Sequence, residues 1–164
     1  MQSLKKIVSN GLMVLGLLFG LTMSAIAADF VTSKRLAEQG NATQQVYIGD
    51  LYRYGAGVRQ DYVQALEWYQ KAANQGYASG QLRLAYLYYG GVGVRQDYAQ
   101  ALELTRKAAN QNYTFAQVQM GHVNEFGIGI RQNKAIAKEW YGMACDNGYY
   151  MGCDNYRRLN EQEY

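Results

Sequence analysis

The sequence predicts an all-α fold, an α-solenoid of antiparallel helix pairs, on three observations. The stretch GAGVRQDYVQALEWYQKAANQG, ending at Gly76, returns 36 residues later as GVGVRQDYAQALELTRKAANQN, ending at Asn112, and again as GIGIRQNKAIAKEWYGMACDNG, ending at Gly148. Within each copy the apolar residues mostly recur at helical spacing. The composition also favours helices: there is no proline, β-branched runs are scarce, and Ala, Gln, Leu, Lys and Glu are common. Self-similarity at such a period marks a solenoid, in which each unit covers the apolar face of the next. The expected organisation is a leader at 1–27, a capping helix at 28–40, repeats at 41–76, 77–112 and 113–148, and a capping helix and tail at 149–164.

The leader differs from the rest. Lys5 and Lys6 precede an apolar core from Gly11 to Met23, and Ala25-Ile26-Ala27 supplies small residues before Ala28. This is the pattern of a cleaved secretory signal peptide. No stable membrane insertion is expected once it is removed, although uncleaved it could just span a bilayer. Lys5 and Lys6 leave with it, so 14 basic residues face 13 acidic ones. A mature chain so close to neutral lacks the basic field that nucleic-acid binding needs.

Ser33 to Gly40 reads as the end of a second helix that covers the first repeat. The first helix of unit one spans about Ala42 to Tyr54, with Val46, Ile48, Leu51 and Tyr52 as its apolar residues. Gly49, Ala85 and Gly121 share one slot, where a small side chain lets the neighbouring helix approach. The G-x-G turns, beginning Gly55-Ala56-Gly57 in unit one, call for positive φ, which glycine adopts without a clash. No strand precedes them and no Walker lysine follows, so they are not phosphate cradles. Asp61, Asp97 and Asn133 are placed to cap the second helices. Gln64 and Gln100 are spaced to return the bond as a capping box, which Ile136 cannot do. Gly76, Asn112 and Gly148 end the second helices in a left-handed residue. Residues 149–160 read as one more first helix. Its Arg157 falls in the Gly49 slot, where a large charged residue stops further stacking.

These residues carry a resemblance. Ile48-Gly49, Tyr52, Gly55, Gly57-Val58, Asp61, Ala65, Trp68-Tyr69, Lys71-Ala72-Ala73 and Gly76 resemble the Sel-one-like repeat family, relatives of the tetratricopeptide units. The likeness covers residues 41–148. It departs at Leu104-Thr105, where the Trp-Tyr pair is lost, and at Met143 and Cys145. It implies a right-handed α-solenoid, a bacterial setting and an adaptor role, since such repeats serve as adaptors in many settings. Cys145 and Cys153 flank the turn at Gly148, and antiparallel helices joined so tightly can bring them together. An exported chain with two cysteines usually pairs them. Their C-x7-C spacing is similar to that of the Helicobacter cysteine-rich proteins, a disulfide-bearing branch of the family.

The chain shows no catalytic signature. His122 is the only histidine, H-E-x-x-H is absent, and the lone S-x-x-K, Ser3 to Lys6, lies in the leader. A hydrolase role of the cysteine-rich kind therefore lacks a nucleophile motif. No cofactor and no metal are expected. The recurring Asp61, Asp97, Glu67, Glu103 and Glu139 read as caps and solvated faces. Arg59, Arg95 and Arg131 read as parts of the repeated turn.

What varies between units is the surface of the first helices, which related solenoids present on a concave groove. Asp50, Tyr86, His122 and Arg158 share one slot, Arg53, Tyr89, Glu125 and Glu161 the next, and Thr43, Ser79, Phe115 and Met151 a third. Variation on a regular scaffold suits protein recognition. The expected partner-binding residues are Asp50, Arg53, Tyr86, Tyr89, Phe115, His122 and Glu125. Tyr86 and Tyr89 are three apart on the central helix and so share a face. The expected function is a non-enzymatic periplasmic scaffold for an envelope machine such as a pilus, secretion or wall-building complex. The alternative is a secreted factor acting on a host or neighbouring cell.

Overall fold

The structure, a computed structural model, describes residues 29–161; the leader expected at 1–27 lies outside them. Eight helices follow one another: α1 (29–38), α2 (Ala42–Tyr54), α3 (Tyr62–Asn74), α4 (Ala78–Gly90), α5 (Tyr98–Ala109), α6 (Thr114–Phe126), α7 (Lys134–Asp146) and α8 (Tyr150–Glu161). Among the described residues there is no strand. The helices pack as consecutive antiparallel pairs, α2 with α3, α4 with α5 and α6 with α7, each pair resting on the next.

The second helices start as expected. Asp61 accepts from the backbone N–H of Val63 and Gln64, Asp97 from Gln100 and Asn133 from Ile136. The reciprocal half of the capping box does not form. The N–H of Asp61 is already given to Tyr52 O at 2.9 Å, that of Asp97 to Tyr88 O and that of Asn133 to Asn124 O. The loop folds back on the first helix, so the cap donor has no need of Gln64, whose amide goes to Glu67 instead. A repeated glutamine secures this fold-back. Gln60, Gln96 and Gln132 donate from Nε2 to the carbonyls of Arg53, Tyr89 and Glu125 at 2.8, 2.7 and 2.6 Å. The first helices end in a left-handed glycine, Gly55 at φ 67° in unit one, and Asn112 takes φ 61° at the end of the second unit.

The small slot does what its size suggests. A Cβ on Gly49 would lie 2.5 Å from the Tyr69 ring, and one on Gly121 would run into the Tyr141 ring. Both tyrosines are fully buried. In unit two the slot holds Ala85, also fully buried, and the facing position holds Thr105 in place of tyrosine. The lost Trp-Tyr pair is therefore a volume exchange across the helix pair: a methyl group added on one helix accompanies a ring removed from the other.

Polar ladders run within the units and from one unit to the next. Gln75, Gln111 and Asn147 donate to the side-chain oxygens of Gln45, Gln81 and Gln117 at 2.7, 2.9 and 3.1 Å. Gln45 and Gln117, both buried, reach back to the carbonyls of Ala37 and Ala109 in the preceding second helix. Buried amides so paired fix the register of one unit on the next. The loops join units too. Gly93 sits on the first turn of α3, where an added Cβ would lie 2.7 Å from Tyr62 Cβ, and Gly129 sits on Tyr98 in the same way. In unit three the tyrosine slot holds Lys134.

Polar residues replace the repeat pattern in α1 and α8. In α1 the positions matching Trp68 and Tyr69 are Thr32 and Ser33. In α8 Arg157 points into solvent and pairs with Asp154.

Candidate functional site

The most irregular part of the first-helix surface is a recess between α4 and the start of α6. Each repeat places a tyrosine before a first helix: Tyr77, Tyr113 and Tyr149. In unit one Thr43 reaches the Tyr77 hydroxyl, donating at 3.3 Å. In unit three the Phe115 ring lies 4.9 Å from the Tyr149 ring. In unit two the same slot holds Ser79, too small to fill the space before Tyr113. The result is a recess of about 160 Å³ lined by Ser79, Leu82, Arg83, Tyr86, Tyr113 and Phe115. A row of rings leads out of it. Tyr113 is 5.5 Å from Phe115, Phe115 meets Tyr149, and Tyr149 is 5.7 Å from Tyr150. Phe115, Tyr150 and Met151 are 51, 65 and 40 % exposed, so the row ends in open apolar surface.

At the other side of the recess the charge is positive. Arg83 meets Asp50 at 3.3 Å, and Asp50 also accepts the Tyr69 hydroxyl at 2.5 Å. Arg53 lies in the same electrostatic neighbourhood, with its guanidinium over the Tyr54 ring. Among the described residues Arg53 has no carboxylate partner, so two cations face one engaged anion. Burial raises the Tyr86 phenol above its ordinary value, against the pull of Arg83 and Arg53.

The remaining expected groove residues divide. Glu125 is almost fully enclosed, accepting the Tyr141 hydroxyl at 2.7 Å and both guanidinium nitrogens of Arg158 at 2.7 Å. The Arg158 bond, with the Tyr141 bond assisting, holds its carboxyl below the usual range although burial opposes this. His122 is half-buried, edge-on to Tyr141 at 5.6 Å. Burial lowers its imidazole, opposed by Glu125 and aided by Arg158. Tyr89 packs by its ring on Tyr98, and its hydroxyl is enclosed without a well-formed hydrogen bond. The Thr105 hydroxyl nearby gives its proton to Ala101 O. Burial raises the Tyr89 phenol. Thus Tyr86 and Phe115 border the recess and Arg53 lies close to it. Asp50, Tyr89, His122 and Glu125 are engaged in the protein's own packing. The tyrosines of unit two stand in the slots that carry acids elsewhere, Asp50 and Glu125, where those acids hold Tyr69 and Tyr141.

Ser79, Leu82, Arg83 and Tyr113 are the recess residues absent from the expected groove set, Ser79 having appeared only in the ladder of Thr43, Phe115 and Met151. Arg83 varies against Tyr47 and Gln119 in its slot, a signal available in the sequence. Tyr113 recurs as Tyr77 and Tyr149 and so reads as structural. Arg59, Arg95 and Arg131 are exposed on the turns. Among the described residues no three His, Cys, Asp or Glu side chains are grouped to share a metal ion.

The cysteines meet across the last turn. Cys145 and Cys153 form a disulfide with their Cα atoms 4.5 Å apart. Beside it, a Cβ on Gly152 would lie 2.7 Å from the Cys145 nitrogen, so α7 and α8 touch through backbone there.

Sequence profiles of the Sel1 repeat match residues 45–77, 78–113 and 114–149. The chain belongs to the Sel1 repeat family. Sel1 repeats form a scaffold typical of protein-interaction proteins, and Sel1 proteins generally bind protein partners. Among curated proteins none matches the chain. Among solved structures the chain is similar to a Sel1 repeat protein from Oxalobacter formigenes, at 36% identity and a TM-score of 0.66 over 72% of this chain and 47% of that one. It is also similar to c5321, a protective antigen present in uropathogenic Escherichia coli strains. That match has 37% identity and a TM-score of 0.69 over 74% of this chain and 26% of that one. Helicobacter pylori cysteine rich protein B shares the fold, at 18% identity and a TM-score of 0.59 over 80% of this chain and 92% of that one. The chain thus spans about half the length of the first of these Sel1 proteins and about a quarter of the second. No helix among the described residues is long and apolar enough to cross a membrane.

Proposed function

We propose that this Sel1 protein is an exported, non-enzymatic scaffold that holds a protein partner along its first-helix face in the periplasm. There it serves an envelope machine such as a pilus, secretion or wall-building complex. The observation that carries this reading is the recess at Ser79 with the exposed ring row running out of it. It arises where one unit departs from the repeat, and it combines aromatic anchors with cations, the side chains that dominate protein recognition. The side chains best suited to chemistry, His122 and Glu125, are engaged with Tyr141 and Arg158 inside the fold. Export is supported by the Cys145–Cys153 bond, because disulfides persist in oxidising compartments. The apolar leader between Gly11 and Met23 supports it too.

A second reading, a secreted factor acting on a host or neighbouring cell, draws on the likeness to c5321, described as a protective antigen. Fractionation of cells expressing the native gene separates the two. Retention in the periplasm favours the first, and recovery from the medium favours the second. The scaffold reading itself is tested by crosslinking in the native envelope, comparing the wild type with Phe115→Ala. One protein crosslinked to the wild type and lost from the variant is the expected result. Equal capture by both would overturn the assignment of this face.

A further inference from the structure

The recess and its flanks are asymmetric, and the asymmetry selects a partner. One flank carries Arg83 and Arg53 against a single carboxylate, Asp50, which Tyr69 and Arg83 already engage. The other flank carries Phe115, Tyr149, Tyr150 and Met151, exposed or half-exposed and without free charge among them. The recess between them has the volume of one large apolar side chain, at about 160 Å³. We propose that this strip takes an internal, extended segment of the partner protein in which an acidic residue stands next to a large apolar one. The apolar side chain sits in the Ser79 recess and the carboxylate faces Arg83 and Arg53. The inference rests on the scaffold reading and specifies its partner.

Charge complementarity excludes a basic segment, which would meet two guanidinium groups in a partly desolvated setting. An internal segment is favoured over a chain terminus because the surface continues on both sides of the recess. A chain that ended there would leave the Phe115–Tyr149–Tyr150 row uncovered. Aromatic rows of this kind offer rigid contact area at low entropic cost.

Unit three supplies the variant for the test. Phe115 fills its own slot by packing on Tyr149, so Ser79→Phe should fill the recess by packing on Tyr113 without loss of stability. A random heptapeptide library displayed on phage is selected on the oxidised mature protein. The enriched peptides are then synthesised with blocked ends and titrated against the wild type, Ser79→Phe, Arg53→Gln and Phe115→Ala. The expected result is enrichment of Asp or Glu beside Leu, Met, Phe or Trp. Binding should weaken about tenfold or more on Ser79→Phe and severalfold on Arg53→Gln, at unchanged melting temperature. Enrichment of apolar peptides without an acid, or of basic ones, would overturn the partner chemistry while leaving the face intact, provided Ser79→Phe still blocks them. Peptides that need a free C-terminal carboxylate would overturn the internal segment. Binding untouched by both Ser79→Phe and Phe115→Ala would overturn the inference and the scaffold reading together. No enrichment over an unrelated protein would overturn the inference alone, because the envelope crosslinking decides the scaffold reading independently.

Discussion

Arg158 grips Glu125 through both guanidinium nitrogens, each 2.7 Å from its own carboxylate oxygen, and the two residues come from α8 and α6. The same carboxylate takes the Tyr141 hydroxyl from α7. One enclosed acid therefore ties together α6, α7 and α8, and α8 contributes the guanidinium that neutralises it.

Arg158→Ala should cost roughly 2 kcal/mol of stability. Loss of one partner from a buried pair costs 3–5 kcal/mol as an order of magnitude, and the partial exposure of Arg158 reduces this. Glu125 has a lowered folded-state value, so its contribution is present above the ordinary carboxylate range and is lost as pH falls through the folded value. Denaturant melts of the wild type and the variant should therefore differ at pH 7 and converge in strong acid. Equal stability at pH 7 would mean that water replaces the guanidinium without penalty.

Alkali should unfold the protein through Tyr69 and Tyr141. Burial, aided by the bonds to Asp50 and Glu125, raises both phenols above their ordinary value of 10.0. The unfolded chain then loses these protons at a pH where the folded chain keeps them, so stability falls as pH rises above about 10. Absorbance of phenolate at 295 nm, followed with circular dichroism, should show the last two tyrosines ionising only as the helices melt. Early ionisation of all tyrosines in a folded protein would contradict the burial argument.

The Ala85–Thr105 exchange predicts a compensating pair. Thr105→Tyr alone should destabilise by about 1–3 kcal/mol, because the Ala85 methyl group occupies the space that Gly49 and Gly121 leave for a ring. Ala85→Gly in the same chain should recover much of that loss. A double-mutant cycle by urea denaturation should give a coupling of at least ~0.5 kcal/mol of favourable sign. Additive effects would show that the two slots do not share one volume.

Cys153→Ser should loosen one end of the protein. The chain-entropy estimate for a loop this short is about 2.5 kcal/mol. Units in a solenoid meet only their neighbours, so the effect should stay local. Hydrogen exchange should accelerate over residues 141–160 and remain unchanged in α2 and α3. Exchange that accelerates evenly along the chain would indicate that the bond stabilises the whole array.

The fold was legible because repetition exposes it. Three tellings of one sentence separate what the helix pair requires from what it tolerates, so the small slot and the left-handed Asn112 could both be read from the chain. The site was legible only in part, and the reason is geometric. Glu125 looked like a free surface acid because its slot varies, yet the variation is matched across the helix pair, with Tyr141 facing an acid and Thr105 accompanying Tyr89. Reading it requires knowing which slots face each other, and no spacing rule states that. The capping box failed for a similar reason: the loop returns to Tyr52, and one donor cannot serve two acceptors. The recess was invisible because it is made by what Ser79 lacks. A missing side chain leaves no motif.

The joint between units has a direction. Each contact needs a tyrosine at the head of one second helix and a glycine in the loop that follows, as with Tyr62 under Gly93 and Tyr98 under Gly129. A duplicate of residues 77–112 inserted in frame after Asn112 brings both halves of the joint, Gly93 to receive and Tyr98 to offer. A duplicate of 113–148 added at the end brings Lys134 and offers nothing to the loop placed upon it. Growth of this array by gene duplication is therefore open in its interior and closed at its tail. The first two units, with Gly57 and Tyr62 or Gly93 and Tyr98, can each be copied, and the second brings Ser79 with it. Lengthening the protein by that unit would add a second gap at Ser79, walled by the tyrosine and serine of the copy where Tyr113 and Phe115 now stand, so the added foothold would differ from the first.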